Sequence, residues 1–143
     1  MLLDRSDAHA LLRALGANER LLRHLQLVGE AADELMNAFT GLEVRFDASL
    51  IELGVAVHDA GKINYPEELD GTGSRHEPEG QAMMLANGVQ LPVARCCVSH
   101  AAWQQHRTLS HCYGPFSDQM RTFRFVHEII RTYHGQTFST SAT

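Results

Sequence analysis

The chain has 143 residues, 44% of them apolar and 20% charged, which fits one domain large enough to bury a core of its own. A net charge of −5 argues against a general nucleic-acid-binding surface, which would show a basic excess, although a metal can still supply positive charge locally to an anionic substrate. No apolar run reaches the ~18 residues of a membrane span, and three cysteines with no CxxC spacing read as reduced thiols, so a cytoplasmic protein without membrane contact is expected.

In chain order, Ser6 is placed to cap a short first helix that ends at Gly16. Residues 18–39 are expected to form an amphipathic second helix. Leu21, Leu25, Val28, Ala32, Leu35 and Phe39 recur there at spacings of four and three, the period of one helix face. Asp47 caps a third helix, ASLIELGVAVHDAG, which is apolar almost all round apart from Glu52 and ends at Gly61. Such a helix belongs at the buried centre of its domain.

The stretch KINYPEELDGTGSR reads as an irregular connection. A fourth helix starts near His76, with Pro78 suited to its first turn, and stops at Asn87-Gly88. A fifth begins at Pro92 and runs through ARCCVSHAAW, and a last one spans 118–134. Residues 135–143 form a polar tail, expected to fray. No stretch alternates apolar and polar residues, so the expected fold is all-α: one domain over 1–134, a bundle of about five to six helices.

Nine histidines stand against a single lysine, Lys62. His58 and Asp59 close the most apolar helix, where the partial negative charge of a helix C-terminus favours a cation. A buried carboxylate beside a histidine needs compensation, and a divalent ion is the strongest available. Taken alone, the pair reads more readily as a hydrogen bond capping the helix. His24 borders the core-facing stripe of the second helix, His76 opens the fourth, and His100 lies late on the fifth. Each has its own plain reading as a core, helix-start or half-exposed side chain. Their joint placement at helix ends and inward faces points instead to one site. Imidazole with carboxylate suits Mn, Fe, Ni, Co or Zn, with Mg also admitted; the thiols lack the spacing of a structural zinc knot.

The order His24, His58-Asp59 within VHDAGK, His76 within RHEPEG and His100 within VSHAAW resembles the HD superfamily of metal-dependent phosphohydrolases, over roughly residues 20–103. GVAVHDAGKI is the most specific piece of the resemblance. It implies a helical bundle with about five core helices. It also implies that His24, His58 and Asp59 bind a first metal, and that His76 and His100 match the additional histidines of binuclear members, with Asp59 bridging two ions. Lys62 matches a lysine that contacts substrate phosphate in such enzymes, and Arg75 and Arg23 are weaker candidates for the same task. Asp59 and Lys62 are thus the expected catalytic residues.

Members of the family supply a last aspartate ligand from an apolar helix. Here Asp118, the only aspartate after Asp70, is the candidate for that metal ligand, against which its helix-start setting, GPFSDQMRTF, favours N-capping. The expected function is hydrolysis of a phosphate ester in a nucleotide or similar small metabolite. Its rivals are a degenerate HD domain that binds a metal or partner without turnover and, third, a di-iron oxygenase. The DGxGYP string of cyclic-dinucleotide phosphodiesterases and the acidic pair of alarmone hydrolases are both absent.

Overall fold

The computed structural model describes residues 1–99 of the chain. The described part is all-helical, without a strand: α1 (Arg5–Ala14), α2 (Glu19–Gly41), α3 (Ala48–Val57), α4 (His76–Ala86), α5 (Leu91–Ala94) and α6 (Cys96–Ser99). Two single 3-10 turns, Ala60–Ile63 and Pro66–Leu69, lie between α3 and α4. Among the described residues no helix is long and apolar enough to cross a membrane. The expected final helix over 118–134, the tail over 135–143, His100 and Asp118 all lie outside the described residues.

Local capping chemistry sets the helix starts. Asn18 and Asp47 accept hydrogen bonds from the amides of Leu21 and Leu50, so α2 and α3 begin one residue after each cap. The cap of α1 is Asp4 instead of Ser6: its carboxylate accepts from the Asp7 amide, and Ser6 falls inside the helix. An ionised carboxylate is at least as good a cap as a hydroxyl and also meets the positive end of the helix dipole.

α3 is the centre. Leu50, Ile51, Leu53, Gly54, Val55, Ala56 and Val57 are buried, and α3 packs against α1, α2, α5 and α6. The heptad-like stripe of α2 supplies Leu21, Leu25, Val28 and Ala32 to the same core, with Leu35 and Phe39 partly buried against it. Arg5 holds α1 to α2 through a two-pronged bond to Asp33, at 2.8 and 3.0 Å.

Three expectations change in detail. α3 ends at Val57, short of Gly61, and the chain then tightens into the 3-10 turn Ala60–Ile63. The connection expected to be irregular contains a second such turn, Pro66–Leu69, opened by a proline at its start. The fifth helix is interrupted at Arg95: this residue keeps helical angles, but the Val98 amide bonds to the Arg95 carbonyl three residues back, a tightened turn separating α5 from α6. The end of α4 is as expected, with Gly88 at φ +73° beyond the cap.

Candidate metal centre

The pair at the end of α3 is buried. His58 is its C-cap and 1% exposed, and Asp59 follows at 3%. His58 Nδ1 lies 2.9 Å from the Val55 carbonyl oxygen. A carbonyl only accepts, so Nδ1 donates and Nε2 faces the Asp59 carboxylate, 3.4 Å from Oδ2.

Three further side chains reach the same carboxylate. His24 of α2 brings Nε2 to 3.1 Å from Asp59 Oδ2, and Lys62 brings Nζ to 2.8 Å from that oxygen. His76, the first residue of α4, places Nε2 3.3 Å from the other oxygen, Oδ1. Burial alone would raise the Asp59 carboxyl, but His58, His24, His76 and Lys62 together hold it well below the usual carboxylate range. Burial also works against charge on His76, yet Asp59 and Glu68 outweigh it and raise its imidazole above the ordinary value.

Glu68 is a part of this site that sequence reasoning missed. It sits in the second 3-10 turn, 5% exposed, within a stretch expected to be plain connection. Its carboxylate accepts from the backbone amides of Arg75 (3.3 Å), the N-cap residue of α4, and His76 (3.1 Å), its first residue, and so replaces the missing side-chain cap of that helix. The same group accepts from His76 Nδ1 at 2.6 Å and from Arg75 Nε at 3.0 Å. Burial would raise Glu68, but the hydrogen bonds from His76 and Arg75 hold it at about 2. Glu77, next to His76 and also buried, is pushed up to about 7, first by its burial. A helix opening on HE without a capping residue before it was the available signal that a carboxylate must come from elsewhere.

Glycines set the closeness of the two halves. A Cβ on Gly61 would stand 1.9 Å from the His76 carbonyl oxygen, and one on Gly80 would stand 2.9 Å from the Gly61 nitrogen. The turn after Asp59 and the first turns of α4 therefore touch backbone to backbone, which carries His76 to the far side of Asp59. Gly73 acts similarly, since its Cβ would lie 2.4 Å from the Glu68 carboxyl. The Val57 carbonyl at the end of α3 accepts from Cys97 Sγ at 3.2 Å.

The remaining expected phosphate contacts sit differently. Arg75 bonds Glu67 and Glu68 and lies over the Tyr65 ring at 4.4 Å. Arg23 is exposed and reaches along its own helix toward Glu30, at 3.8 Å.

The donor set fits a divalent cation. One ligand atom each from His24, His58 and Asp59 lie within 4.8 Å of one another. His58 and His76 are both fixed through Nδ1, one by a carbonyl and one by a carboxylate, the outer contact that sets tautomer and ring direction in metal-bound imidazoles. Loss of the Nε2 protons would turn a lone pair of each ring toward a carboxylate oxygen, an arrangement that a cation between them would make favourable. No family model, no curated protein and no solved structure matches the chain.

Proposed function

We propose that the chain is a metal-dependent phosphohydrolase of the HD type, acting on a phosphate ester of a nucleotide or similar small metabolite. The observation that carries the proposal is the convergence of His24, His58 and His76, from three separate elements, on the single buried carboxylate of Asp59. A divalent ion would be held by His24, His58 and Asp59, and His76 on the opposite oxygen offers a start for a second. Such an ion supplies a bound water of lowered pKa and a Lewis acid for phosphoryl oxygens. Asp59, held ionised by the cationic groups around it, would serve as a ligand of that ion. Glu68 holds His76 in place, and Lys62 brings a cation to the same pocket, where it can stabilise charge developing on phosphate.

One observation favours a second reading. Lys62 Nζ, at 2.8 Å from Asp59 Oδ2, already compensates the buried carboxylate with a charge of the chain's own. That arrangement suits a degenerate HD domain that binds a partner without turnover. Protein purified without affinity histidines or chelator separates the two. The hydrolase reading expects a transition metal by elemental analysis and hydrolysis of p-nitrophenyl phosphate or nucleotides with Mn, Co, Ni or Mg. It also expects Asp59→Ala and His58→Ala to lose that turnover while keeping a helical spectrum. Wild type without metal and without turnover across the panel overturns it.

A further inference from the structure

The cations around the site differ in what holds them. Lys62 is bonded to Asp59, and Arg75 to Glu68, so moving either would disturb a group that forms or supports the site. Among the described residues Arg23 pairs with Glu30 of its own helix. Arg20 is the exception. It lies on α2 one turn before His24, on the same helix face, and both its terminal nitrogens engage the two oxygens of Asp70. Asp70 directly follows the turn Pro66–Leu69 that carries Glu68. The Arg20–Asp70 pair thus straps the helix bearing His24 to the segment that holds His76, the two sides between which Asp59 lies.

The strap is open to solvent, with Arg20 67% and Asp70 59% exposed. An exposed ion pair adds little to stability, because water and salt compete with it. A guanidinium freed from a carboxylate can take a phosphate with the same two-pronged geometry and at higher charge. His24 is the most exposed of the three converging imidazoles, 40% by side chain, so the open side of the site lies toward α2.

We propose that Arg20 is the residue that grips the anionic group of the ligand, and that Asp70 is its built-in competitor: the phosphate displaces Asp70 from Arg20 and opens the strap between α2 and the Glu68 turn. The inference rests on the phosphohydrolase reading for the ligand class but not for its readout. The Arg20–Asp70 bonds include none of the imidazole contacts to Asp59, so Arg20 and Asp70 act on affinity and not on the chemical groups.

The test is titration calorimetry of inorganic phosphate into the manganese-loaded full chain, wild type against Arg20→Gln, Asp70→Asn and the double variant. Arg20→Gln should weaken phosphate about tenfold, the loss of one charge-assisted two-pronged contact. Asp70→Asn should tighten it about threefold by removing a weak, exposed competitor. In the double variant the gain from Asp70→Asn should vanish, because its only route is Arg20. Equal affinities across the set, or no phosphate binding in any member, overturns the strap. Turnover of p-nitrophenyl phosphate on the same preparations keeps the two proposals apart: turnover with equal affinities removes the strap alone, with KM unchanged. Phosphate affinities in the predicted order without turnover keep the strap and remove the hydrolase.

Discussion

Gly61→Ala is the sharpest perturbation that this architecture offers, because the added carbon would meet backbone. Its Cβ would lie 1.9 Å from the His76 carbonyl oxygen and 2.6 Å from the carbonyl carbon. Neither is the tip of a flexible side chain. Bringing the first distance to an ordinary contact requires the start of α4 to retreat by about 1.5 Å, in an interior packed as densely as a crystal. That displacement would take His76 Nε2 out of reach of Asp59 Oδ1, now at 3.3 Å, and strain the bond from His76 Nδ1 to Glu68. Overpacking of this kind costs about 2–4 kcal/mol, at the upper end for a single added methyl because backbone must move. For a chain of this size it lowers Tm by roughly 5–12 °C. Urea unfolding followed by circular dichroism gives the loss directly, with m unchanged if the native state stays compact. Gly88→Ala, where no atom lies within 4 Å but φ is +73°, is the control for backbone strain without a clash. A Gly61→Ala protein as stable as wild type would refute the close crossing, and with it the account of how His76 reaches the site.

Removal of metal by EDTA should lower Tm, because an ion bound only by the folded ligand set stabilises by linkage, about 2.7 kcal/mol at a hundredfold excess over Kd; an unmoved melting curve in protein shown to contain metal refutes this. Glu68, held at about 2 against an ordinary value of 4.5, binds its proton more weakly when folded. Its contribution is therefore present above about pH 4.5 and is lost as pH falls toward 2. Glu68→Gln should cost about 1–2 kcal/mol at pH 7 through the lost cap and flatten the fall in urea midpoint between pH 5 and 3; an unchanged acid limb counts against the role of Glu68. Cys96 and Cys97 are fully buried, and burial raises both thiols, so alkylation mapped by mass spectrometry should label them only on unfolding. Rapid labelling of either in the native protein contradicts their packing.

The elements were legible where local chemistry decides them. Asn18, Asp47 and the leucine stripe of α2 announce their helices, and an apolar α3 announces the centre. His24, His58, Asp59, Lys62 and His76 were all legible as one group, and the fold brings them to one carboxylate. Asp4 and Ser6 are both good capping residues lying close together, and only the backbone angles decide between them. Glu68 was not legible, since its role depends on a loop folding back over eight residues to a helix lacking a cap of its own. In the sequence Gly61 reads as a helix stop, whereas its missing side chain serves a contact with a helix that begins fifteen residues later. Such contacts leave no period in the sequence.

The buried polar side chains bear on purpose as well as on fold. Among the described residues the buried ionisable groups other than the two thiols are His58, Asp59, Glu68, His76 and Glu77. All five belong to one neighbourhood: Asp59, Glu68 and His76 act electrostatically on Glu77, and His58 acts on Asp59. Desolvating ionisable groups is expensive, and well-packed apolar residues in their place are often neutral or stabilising. Stability alone would disperse such groups to the surface, as α2 does with Arg20, Arg23 and Glu30. Their concentration at the end of the most apolar helix, each imidazole turned toward one carboxylate and two of them fixed through Nδ1, sets the site apart from a helix cap, which needs only one acceptor. On the hydrolase proposal, it is the arrangement of a fold that accepts a destabilising centre in order to hold a metal ion there.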